Sequence, residues 1–280
     1  MNINSLPSIK ETVLMHKLFP HKSKGQHFIY DSKITDRIAS LSGDLTNSTI
    51  YEVGPGPGGL TRSLLNFGAK KIIAAEKDQR CVEALNKLAI SYPQRLEILH
   101  DDALTIDENN ILPKGSKIIS NLPFNISTAL FLKWLDKPNH WSSMTLMFQK
   151  EVAQRLSSKH GKKSYGRLSV ITQWLCNVEI LFNVKPGSFI PPPKVTSSVI
   201  SIIPRNSPLA PASRKFLEKI VGSSFNQRRK MLKSSLKSTG LNSDELLRIS
   251  GVDPHSRADD ISIEEYCALA RALKELSENH

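Results

Sequence analysis

Between a five-residue apolar strand pattern and a helix-like run stands a glycine cluster, Glu52-Val53-Gly54-Pro55-Gly56-Pro57-Gly58-Gly59-Leu60-Thr61. Thr49-Ile50-Tyr51-Glu52-Val53 precedes it as the strand, and Leu60 to Phe67 comes after it as the helix. Strand, tight glycine turn and helix in that order begin a βαβ unit, and Gly54, Gly56 and Gly59 satisfy the GxGxxG spacing. Such a turn brings bare backbone and a helix N-terminus up to a nucleotide. An ordinary glycine-rich loop has the same letters, so the pattern needs support from residues further along the chain. Lys71–Glu76, Leu96–Leu99, Lys117–Ser120, Met144–Phe148, Glu179–Val184 and Ser197–Ile203 read as six further strands, and Arg80 to Ile90 has helical periodicity. Strands alternating with helices predict an α/β fold: an open, mostly parallel Rossmann-like sheet with ligands at the carboxyl ends of its strands.

Pro204 to Pro211 holds three prolines and little that is apolar, which predicts a linker. Beyond it the pattern is helical over 214–225, 228–238, 243–249 and 263–276, with Ser262 and Glu265 spaced as a capping box for the last. The expected division is therefore a catalytic domain over 1–205 and a small all-helical domain over 206–280.

Charge separates these segments further. The chain carries a net +12. Residues 205–240 hold nine Lys/Arg against one acid, whereas residues 241–280 hold four against nine. A balance this basic favours a polyanionic partner, and RNA, DNA and an anionic membrane surface all satisfy it. No stretch approaches the roughly 20 apolar residues of a membrane span. Met1 to Lys24 lacks the apolar core of a secretory signal; its four lysines would suit a mitochondrial leader, but it has no arginine and contains Glu11. Cys81, Cys176 and Cys267 lie far apart with no CxxC, so a reducing, cytoplasmic setting and no metal site are expected.

Two carboxylates narrow the cofactor. Glu76, ending the second strand, suits the two hydroxyls of a ribose, which nicotinamide cofactors and S-adenosylmethionine both present. Glu52, two residues before Gly54, sits awkwardly beside a pyrophosphate but well beside an ammonium and a sulfonium. Asp101-Asp102-Ala103 closes the third strand, where a carboxylate can accept from an adenine amine or simply make a turn.

Asn121-Leu122-Pro123-Phe124 comes after the fourth strand. An exocyclic adenine amine is a poor nucleophile because its lone pair is delocalised into the ring. Two acceptors, the Asn121 side-chain oxygen and the Leu122 carbonyl, can hold its two hydrogens and draw the nitrogen toward tetrahedral geometry. Pro123 stiffens the turn and Phe124 offers a flat face for a base taken out of its stack. By itself the segment is equally a proline turn.

Together with Lys24–Ile29, Met147–Arg155, Tyr165–Val170 and Phe189–Val195, these segments resemble, in order, the small-subunit rRNA adenine dimethyltransferase family (KsgA/RsmA). The resemblance runs from about Lys22 to Lys237 and more loosely to the C-terminus. It implies a class I methyltransferase sheet, with S-adenosylmethionine as methyl donor and two methylations on each of two adjacent adenines near the 3′ end of small-subunit rRNA. The substrate would be a pre-ribosomal particle, methylated by a cytoplasmic monomer without a metal. For the cofactor it implies His27, Ile29, Gly54, Glu76, Asp102 and Asn121. For the reacting base it implies Asn121, Leu122 and Phe124, with Phe189 as a second aromatic face unless that ring is core. The family usually has asparagine at the position of His27 and often tyrosine at that of Phe124.

Arg228, Arg229, Lys230, Lys233 and Lys237 are the RNA-binding candidates. On a helix Arg229, Lys233 and Lys237 fall at i, i+4 and i+8 as one basic stripe, with Phe225, Leu232 and Leu236 facing inward. A solvated helix face is the alternative. Lys159, Lys162, Lys163 and Arg167 form a second basic segment. Three other readings stay open: another adenine-amine methyltransferase acting on DNA or on a different RNA, a ribosome-assembly or transcription factor that has lost catalysis, and a nicotinamide oxidoreductase, which leaves Asn121–Phe124 without a role.

Overall fold

The computed structural model describes residues 6–20 and 25–278. Lys22 and Lys24 lie outside the described residues. The elements run α1 (Ile9–Met15), β1 (Phe28–Ile29), α2 (Ser32–Leu41), β2 (Thr49–Val53), α3 (Gly59–Asn66), β3 (Lys71–Glu76), α4 (Gln79–Ile90), β4 (Leu96–His100), α5 (Glu108–Ile111), β5 (Ser116–Asn121) and α6 (Ser127–Leu135). Then come β6 (Trp141–Gln149), α7 (Lys150–Ser157), α8 (Arg167–Leu175), β7 (Cys176–Val184), β8 (Phe189–Ile190) and β9 (Ser197–Pro204). The last helices are α9 (Arg214–Asn226), α10 (Leu232–Ser235), α11 (Ser243–Ser250) and α12 (Ile263–Glu278). No helix among the described residues is long and apolar enough to cross a membrane.

Seven strands form one sheet in the order β4-β3-β2-β5-β6-β9-β7. From β4 to β6 every neighbour is parallel, and β9 joins β6 antiparallel. The α/β class expected from the strand–helix alternation is the class observed. Strands β2 and β3 are near-continuous apolar runs, with Ile50, Tyr51, Ile72 and Ala74 fully buried, as a sheet covered on both faces requires. The chain runs outward from β2 through β3 to β4, then returns to the other side of β2 as β5. The strand order therefore reverses between β2 and β5, and ligands of open α/β sheets bind at that reversal. Gly54 leaves the carboxyl end of β2, and Asn121 is the last residue of β5. The seven expected strands are all present; the two-residue pair β1 and β8 is too short to leave a periodic signature.

The contacts divide the chain into two units: residues up to Ala153 with Glu179–Pro204, and Gln154–Val178 with Arg205–His280. A single boundary at 205 thus differs from the observed division, because 154–178 packs with the last helices. Trp174 donates its indole N–H to the Ala210 carbonyl (2.8 Å), and Arg167 reaches the Gly222 carbonyl (3.1 Å). In the second unit Leu217, Ile220, Leu236, Tyr266, Leu269 and Leu273 are fully buried. The expected capping box of α12 is present: Ser262 N–H donates to Glu265 Oε2 and Glu265 N–H to Ser262 Oγ.

One expected helix is absent. Residues 228–231 are a turn between α9 and α10, so no helix spans 228–238. In such a helix the amides of Leu232 and Lys233 would donate to Arg228 and Arg229. They donate instead to the carbonyls of Ser256 (2.8 Å) and Pro254 (3.2 Å). Leu232 and Leu236 still face inward, and Phe225 stacks on Tyr266 at 5.9 Å.

Candidate functional site

The glycine turn and the Asn121 segment are built against each other. Gly54 has φ +65°, and a Cβ there would lie 3.1 Å from Cγ of Pro123. Only glycine satisfies both the left-handed backbone and that approach. Gly56 has its own limit, because a Cβ would stand 2.8 Å from the Phe28 ring.

A groove runs along the carboxyl ends of the strands. One part is lined by residues including His27, Ile29, Glu52, Gly54, Glu76, Asn121, Leu122 and Phe124. The other part is lined by Gly54, Glu76, Lys77, Asp101, Asp102 and Pro123 among others. The two share Gln26, Gly54, Glu76 and Pro123, so the expected cofactor residues His27, Ile29, Gly54, Glu76, Asp102 and Asn121 all border one groove. Phe189 does not border it. Its ring is 1% exposed and belongs to the main core, where Ile29 and Val199 also pack. The residue expected as a second aromatic face thus packs here as a core ring, edge-on to His27 at 6.4 Å.

Each carboxylate is held differently. Glu76 Oε1 accepts from the amides of Lys77 and Asp78 (both 2.9 Å), and Oε2 from that of Gly56 (3.0 Å). Burial raises its pKa against the pull of those three bonds. Two donors fill Oε1, while Oε2 keeps a lone pair for a ligand hydroxyl. Asp102 is held below the usual carboxylate range, chiefly by Lys77 Nζ at 2.7 Å, and its other oxygen accepts from the Leu104 amide.

At Glu52, where the sequence leads one to expect an anion, the structure differs. This carboxyl is 1% exposed, and burial pushes its pKa up to about 8, opposed by the Thr61 hydroxyl at 2.7 Å and assisted by the charge of Glu76. With the protein's own groups alone it is mostly protonated at pH 7, and a cation beside it would ionise it. A carboxyl raised from 4.5 to about 8 contributes stability that is fully present below pH 4.5 and lost as pH rises through 8. Wild-type protein should thus lose up to about 4 kcal/mol between pH 5 and 8.5 through this group alone. Glu52→Gln should remove that slope, which denaturant titrations at the two pH values would measure. Equal slopes in both proteins would refute the buried, raised carboxyl.

Asn121 is fixed by its amide nitrogen, which donates to the His27 carbonyl at 3.2 Å. That bond orients the side-chain oxygen away, and Oδ1 has no donor among the described residues. Neither has the carbonyl of buried Leu122, although those of Pro123 and Phe124 accept from Ile126 and Ser127. Two adjacent acceptors thus stand unpaired at the strand reversal, beside the Phe124 ring. Their chemistry suits one group above others: an –NH₂ that gives both hydrogens.

The segment 25–29 closes this arrangement. Phe28 and Ile29 pair with Ile190 and Phe189, and the His27 Nδ1–H donates to the Pro191 carbonyl (2.7 Å). Other supports carry no local sequence signal. Lys133 ties α6 to the loop after β4 through the carbonyls of Ala103 (2.9 Å) and Ile106 and the buried Glu108 carboxylate (3.0 Å). Among the described residues no group of three or more His, Cys, Asp or Glu is placed to hold a metal ion.

In the second unit the basic residues are arranged otherwise than as a stripe. Arg229 lies in the 228–231 turn, Lys233 in α10 pairs with Asp244 (3.0 Å), and Lys237 sits in a 3₁₀ turn. Arg228 is half-buried and bridges Asp259 (3.2 Å) and the Lys162 carbonyl (3.4 Å). The Gly161 amide donates to the Asp259 carbonyl, and Met231 bridges Arg257. Three loops distant in sequence are thus stitched into one surface. Lys159, Lys162, Lys163, Arg229, Lys230 and Arg257 are exposed on them.

The family described as ribosomal RNA adenine dimethylase matches residues 18–275. The chain is 50% identical over 268 residues to a ribosomal RNA small subunit methyltransferase A of Paramagnetospirillum magneticum, covering 96% of this chain and 95% of that one. It is 47% identical to the protein of the same name from Rhodospirillum rubrum, covering 96% and 93%. Among solved structures, a dimethyladenosine transferase from Plasmodium falciparum superposes with TM-score 0.77 at 24% identity, over 90% of this chain and 98% of that one. The 23S rRNA methyltransferase ErmE superposes with TM-score 0.70 at 24% identity, over 88% and 99%.

Proposed function

The chain belongs to the ribosomal RNA adenine dimethylase family, and from that premise we propose that its groove takes S-adenosylmethionine and its Asn121–Phe124 segment takes the amine of a target adenine in small-subunit rRNA. The enzyme is an rRNA adenine dimethyltransferase. On this reading each of two adjacent adenines near the 3′ end receives two methyl groups, within an immature small-subunit particle. On the same reading the enzyme acts as a cytoplasmic monomer.

One observation carries the reading: the unpaired pair of acceptors, Asn121 Oδ1 and the Leu122 carbonyl, at the reversal between β2 and β5. The groove residues fit the donor. The free lone pair of Glu76 Oε2 suits a ribose hydroxyl, Asp102 suits an adenine amine, and Glu52 suits a cationic centre. When bound, S-adenosylmethionine supplies an electrophilic methyl group. The protein's part is placement. Asn121 Oδ1 and the Leu122 carbonyl accept the two amine hydrogens and draw the nitrogen toward tetrahedral geometry, which takes its lone pair out of conjugation with the ring. Phe124 stacks on the unstacked base. No strong base is required, because the nitrogen sheds its proton readily once cationic. The exposed cations of the second unit supply phosphate contacts.

The deciding experiment incubates the protein and S-adenosylmethionine with unmethylated small subunits or with naked DNA, then measures methylated adenine by mass spectrometry. Dimethyladenosine at two adjacent positions of the small-subunit RNA is expected. Methylation of DNA alone, or subunit binding without any S-adenosylmethionine binding, would overturn the reading.

A further inference from the structure

Lys133 joins the helix that follows the amine segment to the turn that carries Asp102. It stands in the last turn of α6, which begins directly after Asn121–Ile126. Its three ammonium hydrogens match three acceptors: the carbonyls of Ala103 (2.9 Å) and Ile106 and the Glu108 carboxylate (3.0 Å). Trp134, the next residue, donates its indole N–H to the same Glu108 oxygen (2.9 Å). Ala103, Ile106 and Glu108 are all buried, and they belong to the turn after β4 and to the start of α5. Within that turn the amides of Thr105 (2.8 Å) and Ile106 (3.3 Å) donate to the Asp102 carbonyl, and that of Leu104 to Asp102 Oδ1 (3.0 Å). Asp102, Ala103 and Leu104 line the groove. Asp102 is also tied to Lys77, but that lysine is 75% exposed, against 28% for Lys133. A surface pair of that kind orders little. The place of the turn in the groove is therefore set by Lys133.

We propose that Lys133 is a positioning residue for the cofactor: by holding the 102–106 turn against α6, it sets the Asp102 carboxylate where the adenine amine of S-adenosylmethionine reaches it. The proposal rests on the reading of the groove as the cofactor site with Asp102 at its adenine end. All three hydrogens of the ammonium are engaged within the protein, so Lys133 acts through the turn and not by touching the ligand. Asp102 gives one lone pair to the Leu104 amide and one to Lys77, and the aim of those that remain follows the backbone of the turn. Leu130, Phe131, Trp134 and Leu135 hold α6 in the core, which fixes the turn relative to Asn121. An acceptor held in place beforehand binds better than one ordered by the ligand. Preference for an adenine-bearing cofactor is thus a property of Lys133 as well as of Asp102.

Three variants and two ligands separate positioning from general support. Lys133→Met removes the tie, and Lys133→Arg keeps its charge and its donors. Lys133→Met combined with Glu108→Gln also removes the buried charge that Lys133→Met leaves short of a partner, which guards against unfolding. The ligands are S-adenosylhomocysteine and its analogue whose base lacks the amine, and the readout is the calorimetric Kd of each. Wild type should bind S-adenosylhomocysteine about tenfold more tightly than the analogue, the scale of a hydrogen bond to a charged acceptor. Lys133→Met and the double variant should bind the two within about twofold, because only the amine-bearing ligand weakens. Lys133→Arg should restore a preference of at least about fivefold. If both ligands weaken equally and the preference survives, Lys133 only supports the fold and the proposal falls. Unchanged affinities in Lys133→Met would overturn it as well. A wild type without the preference would remove Asp102 as the amine contact, and the proposal with it. The titrations use neither RNA nor methyl transfer, so failure to methylate small subunits would overturn the assigned function and leave this result standing.

Discussion

Asn121→Ala should lower methyl transfer by at least about a hundredfold, the scale of losing a preorganised group that acts in the transition state. The loss arises at one atom. Oδ1 is held by the bond from Nδ2 to the His27 carbonyl, so it waits in place for an amine hydrogen and does not have to be ordered during the reaction. Leu122 offers its acceptor from the main chain and survives the substitution, but a single acceptor cannot rotate the nitrogen lone pair out of conjugation. S-adenosylmethionine should bind the variant with about a fivefold loss at most, the value of one ordinary hydrogen bond. Folding should weaken by about 1 kcal/mol through the lost tie to the 25–29 segment. Labelled transfer to unmethylated subunits, read beside a calorimetric titration, separates the three effects. Normal turnover in this variant would refute the amine-holding mechanism.

Replacing Lys162, Lys163, Arg229 and Lys230 together by glutamine should weaken subunit binding by about a hundredfold or more and flatten its dependence on salt. Each phosphate contact contributes about 0.7 to 0.9 to the slope of log affinity against log salt, so the slope should fall by about three. All four side chains are exposed, which keeps the fold intact. The informative control is Lys233→Gln with Lys237→Gln. A helical stripe would make that pair as damaging as the first set. The observed surface makes it mild, since Lys233 already pairs with Asp244 and neither residue lies on the stitched loops. An unchanged salt slope in the fourfold variant would place the phosphate contacts elsewhere.

How much of this is legible without coordinates depends on the range of the interaction. The seven long strands, the glycine turn and the capping box at Ser262 and Glu265 depend on neighbours within a few residues, and period and spacing reveal them. The groove residues Gly54, Glu76, Asp102 and Asn121 are legible for a related reason. A parallel sheet places the carboxyl ends of its strands together, so residues read as strand ends are read as neighbours. The 228–238 helix fails on the same criterion. Its sequence is helical by period, but carbonyls from residues 254 and 256 take its amides, and no local pattern records a competitor that distant.

The sequence by itself determined the class of fold, the carboxyl ends of the strands as the place of the ligand, and the chemistry of Asn121-Leu122-Pro123-Phe124, because glycine conformation, hydrophobic period and residue type are local properties. Only the tertiary structure decided which acceptors stay unpaired, that Glu52 is held largely protonated, and that Phe189 packs as a core ring. It alone gathered three loops into one basic surface and moved residues 154–178 into the second unit. Each of these depends on burial or on a hydrogen bond between residues tens to more than a hundred positions apart. Exposure and partnership at that range are set by packing, and a residue's neighbours along the chain do not record them.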